Sequence, residues 1–124
     1  MITNDIWAPL RAAVPSFAEP WREHVSQSWY EDDASYGVSL LARHLVDEAA
    51  AGRVSELPRF FAGLDAQLDD ADEELYNLLT IGLLEDLVHA ADAHGLELAP
   101  FERAIHGGRA RSAWDAVIAF LRGN

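Results

Sequence analysis

Two histidines stand at spacings that chemistry uses. His89 follows Glu85 by four residues and Asp86 by three, and His44 precedes Asp47 by three and Glu48 by four. Residues three or four apart share a helix face, so two such helices facing each other would resemble the inward ligands of a di-metal bundle. Such a bundle also draws carboxylates from two further helices, and no matching pair stands elsewhere in the chain. In so acidic a sequence the plainer expectation is an ion pair at the helix surface for His44 and a hydrogen-bonded, partly buried His89. Nucleophiles have less to work with. There is no cysteine, no G-x-S-x-G turn and no glycine-rich phosphate loop. The residues therefore predict no enzyme, no cofactor and no metal. A small metal- or ligand-binding helical protein using Glu85, Asp86 and His89 is the alternative reading.

The acids carry the stronger signal. Twenty-one Asp and Glu stand against nine Arg, a net charge of −12. That balance disfavours nucleic acid and anionic membrane surfaces, which need clustered cations. Some acids have a structural reason. Asp72, Glu73 and Glu74 fit the N-cap and first turn of a helix, and Glu31, Asp32 and Asp33 precede a helix start, where negative charge meets the positive dipole end. Asp69 and Asp70 fall at a helix C-terminus, where charge of that sign costs ~0.3–1 kcal/mol each. Residues 65–74 hold six acids, from Asp65 to Glu74, and no base. The bland reading is a solvated face; the sharper one is a patch that meets a positive surface. Trp29 and Tyr30 beside Glu31, Asp32 and Asp33 look like aromatic anchors ringed by acids, as an interface for a basic partner requires. The expected partner-binding residues are thus Trp29, Tyr30, Glu31, Asp32, Asp33, Asp65, Asp69, Asp70, Asp72 and Glu73. Arg103, Arg109, Arg111 and Arg122 make the C-terminal stretch net positive, either for pairing with the acidic body or for docking.

The elements that would position these residues are helices, since almost no period-two alternation is present. Asn4 or Asp5 is expected to cap a first helix over 6–14, stopped by Pro15. Ser16 is expected to cap a second, with Phe17, Trp21 and Val25 on one face. A third spans about 35–51 with Gly52 beyond its end. A fourth begins at Ser55 and places Leu57, Phe60, Phe61, Leu64 and Leu68 on one stripe. Asp72 opens a fifth over 73–94, ended by Gly95. It is apolar nearly all round, from Leu75 and Tyr76 through Ile81 to Val88, which predicts a buried central helix. A short helix from Pro100 and a last one over 110–121 follow. The fold class is all-α: one domain over 1–124, an irregular bundle of six to seven helices around residues 73–94. The N-terminus has no leader pattern and no stretch is long enough to span a membrane, so a cytoplasmic location is expected.

The segment 76–87, YNLLTIGLLEDL, resembles a pattern found in small bacterial all-helical proteins, some of them immunity partners of polymorphic toxins. The likeness covers roughly residues 55–95. It implies a protein that neutralises a cognate toxin by binding it, and it carries over no catalytic residue. Together with the charge it predicts a non-enzymatic, acidic protein-binding module with a basic protein partner.

Overall fold

The computed structural model describes residues 2–123, and all regular structure among them is helical. The 3-10 turn Asn4–Trp7 leads into α1, Ala8–Ala12, and the 3-10 turn Pro15–Phe17 leads into α2, Ala18–Val25. Helices α3, Ala34–Ala50, and α4, Leu57–Asp69, follow. The central helix α5 runs over residues 73–93 in three parts: an α turn Glu73–Asn77, a π-wound stretch Leu78–Leu84, and an α stretch Glu85–Ala93. Short α6, Ala99–Arg103, and α7, Gly108–Arg122, complete the bundle of seven helices. Among the described residues no helix is long and apolar enough to cross a membrane.

The stop and start signals explain the long helices. Asp33 Oδ1 accepts the Ser35 N–H at 3.0 Å and opens α3, which ends before Gly52 at φ 82°. Asp72 Oδ1 accepts the Leu75 N–H at 2.8 Å and opens α5. At its far end Gly95 takes φ 64°, the Gly95 N–H donates to Asp92 O and the Leu96 N–H donates to Ala91 O. This is the paired bonding of a Schellman end, which needs the left-handed residue that glycine supplies. The π stretch is marked by the Glu85 N–H, which donates to Thr80 O five residues back.

Helix α3 packs along α5, while α4 packs against α1 and α7. Phe60, Phe61, Phe101 and Trp114 are fully buried between these layers, with Phe61 edge-on to Trp114 at 6.0 Å. The expected stripe of α4 is the buried one, including Leu57, Leu64 and Leu68.

Three expectations need correction. Neither Asn4 nor Ser16 caps a helix through its side chain: Asn4 turns inward, and Ser16 bonds Glu56 and His44. The N-cap of α4 is Glu56 with no side-chain bond, one residue past Ser55. Helix α5 is not buried all round. Tyr76 is 42 % exposed and Ile81 58 %, because the helices packed on α5 leave one strip of it facing solvent.

Candidate functional site

The acidic corner is built largely into the fold. Asp65 reaches from α4 to the start of α7, where its Oδ1 accepts the Ala110 N–H at 2.9 Å. Its carboxylate sits so close to Gly107 that a Cβ there would overlap it, so the contact requires glycine. Asp69 pairs with Arg109 at 2.7 Å, both well exposed, a geometry worth ~0–1 kcal/mol. Asp72 caps α5. The absence of a base within residues 65–74 is therefore a property of the sequence and not of the surface, since Arg109 arrives from forty residues further along. Asp70, Glu73 and Glu74 remain exposed. Three of the four tail arginines are held inside the chain: besides Arg109, Arg122 grips Asp92 through two bonds of 3.1 Å, and Arg111 donates to the carbonyls of Glu102 and Ile105.

The loop 29–33 divides in two. Its inner half latches the N-terminus. Asp32 Oδ1 accepts the Asn4 N–H at 2.8 Å and Asn4 Nδ2 at 2.9 Å. Asn4 Nδ2 also donates to Tyr30 Oη at 3.0 Å, and Asn4 Oδ1 accepts the Trp7 indole N–H at 2.8 Å. The Asn4 backbone N–H, with the side chains of Asn4 and Tyr30, holds the Asp32 carboxyl below its ordinary range. Arg11 lies 4.5 Å from both the Trp7 and Trp21 rings and donates to Asn4 O. Burial lowers its pKa. Asp33 is the cap of α3. The outer half, Trp29 and Glu31, faces solvent.

Among the described residues the expected histidine sets do not come together as ligand clusters, although Asp86 and His89 line one shallow cavity with Ser39 and Arg43 of α3. Asp86 accepts the Ser39 hydroxyl, and His89 is exposed rather than partly buried. The group that the fold does gather is His44, Glu48 and Glu56, whose ligand atoms lie within 4.8 Å of one another. His44 Nε2 is 2.8 Å from Ser16 Oγ and 3.9 Å from Glu48. Glu48 pairs with Arg53 at 2.5 Å, and Glu56 takes the Ser16 N–H at 3.0 Å as well as its hydroxyl. Each group has a partner in the chain, and the cluster ties the turn before α2 to α3 and to the approach to α4.

The residues that sequence reasoning missed form a groove between α5 and α7. Tyr76, Thr80 and Ile81 line one wall, Val117 and Phe120 the other, with Glu85 also lining it, around about 250 Å³ of space. Phe120 is 75 % exposed, the most of any large apolar residue described. Thr80 bends back to donate to Tyr76 O at 2.8 Å, a competing bond that loosens the helical ladder where it is π-wound. Such π turns are rare and recur at functional sites. Glu73 stands one turn before Tyr76 and Asn77. A signal for the groove was present: an all-round apolar helix in a small protein has more apolar faces than one core can cover.

The fold and groove define a small all-helical domain with an exposed apolar furrow on an acidic body. The chain belongs to the family described as Domain of unknown function (DUF7674), whose model matches residues 7–116. No curated protein and no solved structure matches it.

Proposed function

We propose that the chain is a non-enzymatic, acidic protein-binding module that receives an apolar, positively charged segment of another protein in the groove between α5 and α7. One observation carries this reading: Tyr76, Ile81 and Phe120, three of the exposed large apolar side chains, gather around a single groove on a molecule of charge −12. Burying a large apolar side chain contributes ~1.5–3 kcal/mol, so these residues supply affinity. Glu85, which lines the groove, and Glu73, one turn before Tyr76 and Asn77, supply selection and speed of encounter, as charges at an interface rim do. The acids engaged inside the chain, Asp33 and Asp72 as caps and Asp32 and Asp65 in contacts with Asn4 and Ala110, add to the long-range field without touching a partner.

The same reading extends to an immunity protein acting in the cytoplasm on a basic toxin domain. The resemblance over residues 76–87 supports it, and that segment holds one wall of the groove. Affinity capture from cells of the source tests both levels. The expected catch is a basic protein that leaves the chain as salt rises, and whose toxicity when expressed alone is relieved by co-expressing this chain. A salt-insensitive acidic partner would overturn the charge argument, and a harmless basic partner would overturn the immunity role alone.

A further inference from the structure

We propose that the cleft between Trp29 and Tyr36 binds a compact organic cation, an N-alkylated ammonium group. No residue lines both this cleft and the groove between α5 and α7, so the proposal stands apart from the reading given for that groove. His24 in the last turn of α2, Trp29 in the following turn and Tyr36 in the first turn of α3 supply the walls, and Glu31 and Asp33 supply the charge, around about 250 Å³.

The ring geometry is that of a corner. Trp29 and Tyr36 lie 6.4 Å apart at 79°, and the His24 ring stacks on Tyr36 at 5.3 Å and 22°. Aromatic faces carry negative potential, and cages of such faces recognise alkylated ammonium ions. Two rings near a right angle already hold a cation in this chain, where the Arg11 guanidinium lies 4.5 Å from both the Trp7 and Trp21 rings, which stand at 77°. The exposed pair Trp29 and Tyr36 offers the same geometry to a cation from outside.

Two observations point to such a ligand. Trp29 and Tyr36 are 58 % and 47 % exposed although they stand side by side. Glu31 lines the cleft beside them, as does Asp33, which also caps α3, and the arginine nearby, Arg43, lines the adjoining cavity that shares His24, Trp29 and Tyr36. Burial keeps the His24 imidazole below its ordinary pKa of 6.5, so at neutral pH the floor of the cleft carries no opposing charge.

The test titrates the full chain with choline and with 3,3-dimethyl-1-butanol, its neutral carbon isostere, following tryptophan fluorescence. The expected result is saturable binding of choline, with the isostere weaker by about tenfold or more. Glu31→Gln should weaken choline severalfold, and Trp29→Ala should abolish the signal while the helical circular dichroism is unchanged. A parallel arm uses a short peptide containing trimethyllysine: tighter binding than choline assigns the cation to a protein side chain, and weaker binding assigns it to a free solute. Equal binding of choline and isostere, or no saturable response to choline or to the peptide, overturns the proposal.

Discussion

Asn4 ties three groups on two segments of chain through one side chain and one backbone amide: the Trp7 indole in its own turn, and the Tyr30 phenol and the Asp32 carboxylate in the loop 29–33. Asn4→Ala leaves the buried Trp7 N–H without an acceptor, a loss of about 1–3 kcal/mol, readable as a lower urea midpoint with unchanged slope. In the sequence this residue looked like a helix cap, because local spacing says nothing of a loop that returns twenty-eight residues later. The same blindness hid the partners of Asp65 and Asp69. Three groups set the response to acid. His24 loses pKa on folding through burial, Asp32 through its bonds from Asn4, and Asp92 through its bonds from Arg122. A group whose pKa falls on folding stabilises above its unfolded value, and that contribution disappears as pH drops through the folded one. Stability should therefore decline below the ordinary His value of 6.5 and again in the carboxylate range. His24→Phe should flatten the upper decline and Asp32→Asn part of the lower, the rest belonging to Asp92, as measured by urea unfolding across that span.

At the scale of the element, α3 and α5 were legible because caps and terminal glycines agree, and α4 because its apolar stripe alone is unmistakable. The π winding of Leu78–Leu84 was not, since it depends on how α5 meets α3 and α7 together. An all-apolar run also conceals direction: Leu79, Leu83 and Leu87 are fully buried, while Tyr76 and Ile81 are out. Gly82 lies inside this stretch, and an added Cβ would meet Val38 at 3.5 Å and Leu78 at 3.6 Å, which is ordinary contact. Gly82→Ala should then stabilise by roughly 0.5–1 kcal/mol, through the smaller backbone entropy lost on folding, and thermal unfolding would show the rise. Gly37 behaves oppositely. A Cβ there would stand 2.7 Å from the Trp7 ring and overlap the Asn4 side chain, so Gly37→Ala should cost about 1–3 kcal/mol by overpacking.

Over the whole molecule, the internal ion pairs leave a large surplus of negative charge at a formal −12. Self-repulsion of that kind is screened by salt. The unfolding temperature should rise with sodium chloride, and a fall would mean that internal pairs such as Arg122–Asp92 outweigh the repulsion. Charge was fully readable from composition, whereas the apolar groove it surrounds emerges only when α7 is laid beside α5. The central claim is that this groove is where another protein docks. Its most direct measurement is the dissociation constant of the captured basic partner for the wild type and for a chain carrying both Ile81→Ser and Phe120→Ser. These side chains are more than half exposed, so the substitutions should leave stability within about 0.5 kcal/mol. The account predicts binding weakened by at least about tenfold. Unchanged affinity in a folded double variant would contradict it.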